Sequence, residues 1–336
     1  MRDILKGVTR SFYLTLIVLP PAVRSQMGLS YLFARAADTI ADTDLIDRGQ
    51  RLLFLKQFMA QFVEDHVNWE EIRTIQAALI PRQTDSAERT LLKRLEDCFR
   101  LYLEFAPGDR ARIRRLMGTL PNGMEMDLTR FPGDSAHDLT ALQTMDDLDL
   151  YTYYVAGCVG EFWTRMMCAH FPSLAGWDEA GMSALGVRFG KGLQLTNILK
   201  DLPRDLRRGR CYIPDTFLKE AGLAPQDLLK AESLPAFRPV LRKLITIARE
   251  HLDHGWLYTM AIPRREVRLR LSCMWPILLA GETLRLLAMS DALLDPAVNV
   301  KAARATVYRI LALTTTTAAC GYVGTAYWGY LRKQIV

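Results

Sequence analysis

The chain predicts an all-α fold, a single domain over residues 1–336, and three observations carry that expectation. Apolar residues recur with helical spacing over most of the chain, and no stretch alternates long enough to form a sheet. No internal repeat or low-complexity linker divides the 336 residues, a length that suits one large domain with a sizeable core. Half of the residues are hydrophobic and 24% are charged, the balance of an ordinary globular protein.

Pro20-Pro21 opens a helix over about 22–43, because proline is harmless in a first turn whose N–H groups lack helical partners. Further helices are expected at about 48–66, 69–80, 86–105, 109–129, 146–170, 178–201, 225–232, 236–261, 264–289 and 299–330. Arg82-Gln-Thr-Asp, Ala106-Pro-Gly-Asp, Phe131-Pro-Gly-Asp-Ser and Gly209-Arg-Cys-Tyr-Ile-Pro read as the loops between them. Near the end, Leu311–Tyr330 holds 20 uncharged residues before Arg332-Lys333. Its length would permit a membrane span, yet five threonines and three glycines leave a weakly hydrophobic C-terminal helix. Tyr327, Trp328 and Tyr330 beside basic residues suit either a final packed helix or an interfacial anchor.

The net charge of +6 and an isoelectric point near 9.0 favour anionic partners such as diphosphates, nucleotides or an anionic membrane surface. The basic residues form no dominant run, which argues against nucleic acid. No Gly-x-Gly-x-x-Gly or Walker loop follows a strand, which argues against a Rossmann domain or a P-loop enzyme. Six cysteines without a paired or zinc-type spacing, and no signal peptide, read as reduced thiols of a cytoplasmic protein, with peripheral contact at the inner face of the membrane. His251 and His254, three apart, could form a metal pair but equally a solvated helix face.

Two acidic motifs carry the chemistry, Asp38-Thr-Ile-Ala-Asp42 and Asp201-Leu-Pro-Arg-Asp205, 163 residues apart. Each pairs carboxylates at i and i+4, neighbours on one helix face, within an apolar run where bare carboxylates are costly to desolvate. A hard divalent cation shared by both motifs, with room for a substrate phosphate, compensates that cost most simply and points to a magnesium-diphosphate site. Tyr31 and Arg35 share the face of Asp38, and an arginine there can take a phosphate bidentately. Gln194 and Asn197 precede Asp201 on one stripe and suit a metal shell or a phosphate. Pro203 removes a helical hydrogen bond and is expected to kink or end the helix near Asp201–Leu202, distorting the position of Asp205. Arg207-Arg208-Gly-Arg210 can neutralise leaving phosphates or form a solvated loop.

A third constellation is Tyr151-Thr-Tyr-Tyr-Val-Ala-Gly-Cys-Val-Gly160. Small residues at 156, 157 and 160 leave space for a bulky apolar ligand or for a close neighbouring helix. Tyr151 on the same stripe would put a hydroxyl into an apolar cavity whose aromatic faces could stabilise positive charge. Thr9, Arg10 and Ser11 offer a cation and two hydroxyls as a phosphate clasp.

These residues together resemble the squalene/phytoene synthases, head-to-head trans-isoprenyl diphosphate synthases, over roughly residues 5 to 310. The resemblance rests on Thr9-Arg-Ser-Phe12, Tyr31 with Arg35 through Asp42, Gly123-Met-Glu-Met-Asp127, Tyr151 through Gly160, Gln194 through Asp201 and Arg207 through Pro214. It implies an all-α isoprenoid-synthase fold with a central cavity, and it is greatest to bacterial squalene synthases. Asp38, Asp42, Asp201 and Asp205 would be magnesium ligands, with Asn197 and Gln194 beside them. Thr9, Arg10, Ser11, Tyr31, Arg35 and Arg210 would contact diphosphate, and Tyr151 would be the catalytic tyrosine near the proton that is lost. The chain departs from the pattern at Pro203 and at Arg204, where members often carry an acidic residue.

The activity so implied is that of a magnesium-dependent farnesyl-diphosphate farnesyltransferase that makes squalene, a sterol or hopanoid precursor. An allylic cation is attacked by a second prenyl double bond to give a cyclopropylcarbinyl diphosphate, and a second ionisation leads to the 1-1' linked chain. NADPH would reduce the last cation, with Lys301 and Arg304 as cofactor-binding residues. Lys301 matches the family position, whereas the arginine position is Ala303, one residue from Arg304. Synthases of the same fold that end at presqualene diphosphate, dehydrosqualene, hydroxysqualene or phytoene without NADPH remain the alternative. A terpene cyclase lacks the Tyr151–Gly160 block, and a non-catalytic helical membrane subunit would be expected to lose one of these motifs.

Overall fold

Prolines and side-chain caps set many of the helix boundaries in this computed structural model, which describes residues 2–8, 12–43, 45–63, 66–317 and 322–335. Two short helices, α1 (Arg2–Val8) and α2 (Phe12–Val18), precede α3 (Pro21–Asp42), which starts directly after Pro20. α4 (Arg48–Ala60), α5 (Trp69–Leu79) and α6 (Ser86–Lys93) begin behind Asp47, Asn68 and Asp85, whose side-chain oxygens accept first-turn N–H groups. α7 (Leu95–Glu104), α8 (Pro107–Met117) and α9 (Pro121–Arg130) follow. The sequence reads 86–105 and 109–129 as single helices. The first breaks at Arg94, and the second is interrupted before Pro121, which has no N–H to continue the ladder.

α10 (Met145–Thr152) runs through a π-helical turn, Tyr153–Gly157, into α11 (Cys158–His170). α12 (Glu179–Arg207) packs along α14 (Leu234–Ala261), with the short α13 (Asp215–Glu220) between them in sequence and α15 (Val267–Met289) against α14. The expected helix at 225–232 is instead two 3-10 turns, Pro225–Leu229 and Ala231–Ser233. The C-terminal part holds α16 (Arg304–Thr317) and α17 (Tyr322–Gln334), with 318–321 outside the described residues. One parallel ladder of two residues, β1 (Thr140–Ala141) on β2 (Arg210–Cys211), completes the all-α fold.

Helix α12 does not end at Pro203, as the sequence suggested. A proline inside a helix costs about 3 kcal/mol. On the same helix Leu195, Leu199, Leu202 and Leu206 are each at most 1% exposed. Burying a leucine side chain contributes about 1.5–3 kcal/mol, so four of them outweigh one missing hydrogen bond and carry the helix on to Arg207.

One apolar cluster gathers much of the first half of the chain around a knot of rings. Phe33 of α3 lies 4.9 Å from Phe62 and 4.8 Å from Phe99, centroid to centroid. That knot pins the buried face of α3 and turns its polar stripe the other way. A second cluster gathers α12, α14, α15 and α17. Among the described residues, α15 is the one helix long and apolar enough to cross a membrane, and 67% of its apolar window is buried inside the chain. In α17, Trp328 is 3% exposed, stacks on Trp256 and donates through Nε1 to Asp253 at 3.0 Å. That tryptophan serves helix packing rather than an interface.

Candidate active site

On α3, Tyr31, Arg35, Asp38 and Asp42 fall at i, i+4, i+7 and i+11, one stripe of the helix. Their intervening neighbours Phe33, Ala36, Ala37, Ile40 and Ala41 are at most 3% exposed. On α12, Gln194, Asn197, Asp201 and Asp205 form the matching stripe. Both aspartate pairs, with Asn197, line one polar space of about 140 Å³. Gln194 and Asn197 also line a second, apolar space of about 390 Å³, so the polar mouth and the apolar cavity adjoin at these two side chains.

The mouth is crowded with charge. Burial and the neighbouring Asp42 push the Asp38 carboxyl up to about 6, with Arg35 opposing. Burial, with Asp201 adding and Arg204 opposing, pushes Asp205 up to about 6. Arg204, the departure from the expected acidic residue, lies 3.6 Å from Asp201 and 3.4 Å from Asp205 and partly neutralises the second pair. Arg35 bridges Asp38 and Glu88 of α6, so its guanidinium reaches the mouth through Asp38.

Arg210 enters from β2. Gly209 before it has φ +78°, and a Cβ there would meet the Ser135 carbonyl at 2.7 Å, so only glycine fits the turn that follows α12. The ladder to β1, Thr140 N to Gly209 O at 3.2 Å and Leu142 N to Cys211 O at 3.0 Å, then fixes the strand. Arg210 Nη1 donates to Asp42 Oδ1 at 2.9 Å and lies 3.7 Å from Asp127 Oδ2. Burial opposes its charge, but Asp42, Tyr212 and Asp127 more than restore it and raise its pKa.

Asp127 of α9 is the hub of this side. Tyr151 Oη donates to its Oδ2 at 3.2 Å and Tyr212 Oη to its Oδ1 at 3.0 Å, while the two rings stack 4.7 Å apart. Burial pushes Asp127 up to about 7, with Asp42 adding and with Arg210 and the tyrosine hydroxyls opposing. Burial also raises the Tyr151 hydroxyl well above 10.

The π-helical turn sits directly after Tyr151, and such turns occur often at functional sites. Ala156 within the turn and Gly160 just after it line the apolar cavity. A Cβ on Gly160 would meet the Gly186 carbonyl at 1.9 Å, and one on Gly190 the Ala156 carbonyl at 2.2 Å. The small residues therefore serve both readings, a close approach of α11 to α12 and a wall of the cavity.

Of the residues singled out from sequence, Asp38, Asp42, Gln194, Asn197, Asp201, Asp205, Arg210 and Tyr151 come together around the mouth. Tyr31 does not join them: it lines the apolar cavity, and its hydroxyl donates to the Val8 carbonyl at 3.3 Å. Thr9, Arg10 and Ser11 lie outside the described residues. Lys301, three residues before α16, and Arg304, its first residue, are exposed and line neither space. His251 is no metal ligand paired with His254; its Nδ1 accepts from Arg188 Nε at 2.7 Å. Sequence reasoning gave no role to Asp127, Tyr212 or Glu88, although Gly123–Asp127 and Arg210-Cys-Tyr212 were visible as motifs.

The donor set of carboxylates and an amide oxygen suits a hard dication, which would relieve the repulsion that raises Asp38 and Asp205. Among the described residues no three Asp, Glu, His or Cys side chains converge on one point. The aspartates are thus two pairs facing one space, and a dication bound between them would need further ligands, such as phosphate oxygens, to complete its shell.

Residues 5–306 match the family model described as squalene/phytoene synthase. The chain is 28% identical over 307 residues to a bifunctional lycopene cyclase/phytoene synthase of Pyrenophora tritici-repentis, covering 90% of this chain but only 47% of that protein. It is 26% identical to the squalene synthase of Saccharomyces cerevisiae, covering 95% of this chain and 67% of the yeast protein. It is 31% identical to the presqualene diphosphate synthase of Sinorhizobium fredii, covering 77% of each. Among solved structures, TcSQS with the ligand E5700 superposes with a TM-score of 0.80 at 22% identity, over 99% of this chain and 89% of that one. A dehydrosqualene synthase in complex with a ligand superposes with a TM-score of 0.62 at 20% identity, over 96% and 95%.

Proposed function

The chain belongs to the squalene/phytoene synthase family, and on that premise we propose that it condenses two farnesyl diphosphates head to head to presqualene diphosphate and reduces this with NADPH to squalene. The observation that carries the reading is the adjacency of the two spaces, which share Gln194 and Asn197 as wall: a charged mouth suited to diphosphates beside an apolar cavity suited to prenyl chains. Bound magnesium would supply Lewis-acid pull on the departing diphosphate, held by Asp38, Asp42, Asn197, Asp201 and Asp205.

The chain's own residues do the rest. Arg210 and Arg208 line the mouth, where the released diphosphate collects charge. The allylic cation left behind faces a cavity whose walls include Trp163, Phe189 and Tyr258; they exclude water and offer ring faces to positive charge. The double bond of the second chain attacks, and the cyclopropane closes as a proton leaves beside Tyr151. Tyr151 is held there by its hydrogen bond to Asp127 and by its stack on Tyr212. Lys301, in the segment before α16, and Arg304, its first residue, are exposed and would meet the phosphates of NADPH from solvent.

A second reading, a synthase that stops at presqualene diphosphate, is favoured by the placement of Lys301 and Arg304 away from the cavity. The test is incubation of the protein with farnesyl diphosphate and magnesium, with and without NADPH, and identification of the lipids. Squalene formed only with NADPH supports the full reading. Presqualene diphosphate, dehydrosqualene or an alcohol regardless of NADPH removes the reductase half. Turnover of a C20 diphosphate alone moves the substrate to the phytoene branch.

A further inference from the structure

A tyrosine that receives a proton from carbon must be a phenolate beforehand or pass its own proton on at the same moment. Tyr151 is poorly placed for the first. It is 5% exposed, stacked on a second tyrosine and hydrogen-bonded to a carboxylate, all of which disfavour a phenolate. For the second it is well placed, since the strongest base its O–H meets is Asp127 Oδ2, at 3.2 Å.

We infer that Asp127 is the proton acceptor behind Tyr151 in the cyclopropane-forming step, an inference that rests on the reading above. As the substrate C–H bond breaks, its electron pair closes the ring C–C bond and its proton goes to Tyr151 Oη. The Tyr151 hydroxyl proton moves at once to Asp127 Oδ2. Tyr151 ends unchanged and neutral, and Asp127 ends as the carboxylic acid, so no second base or redox partner enters.

The surroundings of Asp127 fit this task. Its side chain is 12% exposed, and its other oxygen is occupied by Tyr212 Oη at 3.0 Å, which holds the carboxylate plane toward Tyr151. Arg210 at 3.7 Å is near enough to favour the carboxylate before the transfer without sealing the accepting oxygen. Burial and Asp42 work in the opposite direction and bring the carboxyl up to about 7, so either protonation state is accessible near neutrality. Asp127 also lines the polar mouth, through which the proton can return to solvent or to the departing diphosphate. Because it acts through Tyr151, Asp127 is a positioning and relay residue rather than a group in contact with substrate.

The test compares wild type, D127N, D127E, Y151F, Y212F and D127N/Y151F in single turnovers of farnesyl diphosphate to presqualene diphosphate with magnesium. D127N keeps the hydrogen bond but not the basicity, and its rate should fall by about 10²–10⁴-fold with KM little changed. Deuterium at the reacting C1 should then slow D127N more than wild type, D127E should recover part of the rate, and the double variant should be no slower than Y151F. Should D127N fail to fold, wild type alone decides: the relay requires single-turnover ring closure to slow in D2O, because an exchangeable proton is in flight. D127N with an unimpaired rate, a loss confined to KM, additive losses in the double variant, or no solvent isotope effect in wild type would overturn the relay. A Y212F loss as large as that of D127N would send the proton through the second tyrosine and overturn direct transfer. Wild type that makes no head-to-head product would sink the proposed function itself, whereas the other failures leave it standing.

Discussion

Arg210 donates to Asp42 at 2.9 Å although 168 positions separate them, and the same guanidinium lies 3.7 Å from Asp127. One arginine thus ties the first aspartate pair to the carboxylate that holds Tyr151. Replacing it with alanine removes the positive charge between two acids and, on the proposed function, a diphosphate contact at once. R210A should lower kcat/KM for farnesyl diphosphate by about 10²-fold or more, the scale of losing one charge-stabilising donor. R210K should recover little: Nη1 alone meets both Asp42 and Asp127, and an ammonium put in its place is a strongly hydrated point charge that lacks the planar fork to take a diphosphate bidentately. Steady-state product formation measures this, and R210K activity close to wild type would contradict it.

The two aspartate pairs should act together on one cation. Magnesium with inorganic diphosphate should raise the melting temperature of the wild type, since ligand at 100 times its Kd adds about 2.7 kcal/mol to the folded state. D38N and D201N should each lose most of that shift. A variant at either helix that keeps the full shift would mean that the ion needs only one wall.

Gly160 packs its Cα against the Gly186 carbonyl, where a Cβ would come to 1.9 Å of a backbone oxygen that cannot turn away. G160A should destabilise by about 1–3 kcal/mol by forcing α11 from α12, the range for overpacking a close contact. Urea unfolding reads the loss, and an unchanged midpoint would show that the two helices can slide apart freely.

His251 supplies a pH dependence of stability. Burial first, and then Arg188 and Lys191, lower its pKa from 6.5 to about 4 in the folded chain. The unfolded chain therefore binds the extra proton first, so this contribution is complete above pH 6.5 and is lost as pH falls toward 4. The loss is of the order of 3 kcal/mol at most. H251Q, which still offers Arg188 an acceptor, should show a smaller drop in urea midpoint between pH 7 and pH 4.5 than wild type. Identical drops would assign the acid sensitivity elsewhere.

Much of the site was legible because helical spacing is a local property. Asp38 and Asp42, or Gln194, Asn197 and Asp201, share a face wherever the helix forms, so their stripes could be read without knowing what they face. Asp127 was visible only as part of Gly123–Asp127, because its partners stand at 151, 210 and 212 and nothing in its own helix announces them. Tyr31 was expected at the diphosphate because it shares the stripe of Asp38; seven residues upstream, that stripe has already left the mouth for the apolar cavity. The π-helical turn after Tyr151 left no readable mark either, since residues 146–170 carry one unbroken helical pattern.

By itself the sequence determined the helical class, the two acidic stripes and the small residues at 156, 157 and 160, all consequences of repeats a few residues long. Only the tertiary structure decided that α12 passes through Pro203, that Arg210 pairs with Asp42, and that Tyr151 and Tyr212 share Asp127. The reason is physical: the burial that offsets a proline, and the desolvation that makes a buried carboxylate seek a cation or a hydroxyl, do not exist until distant helices have packed.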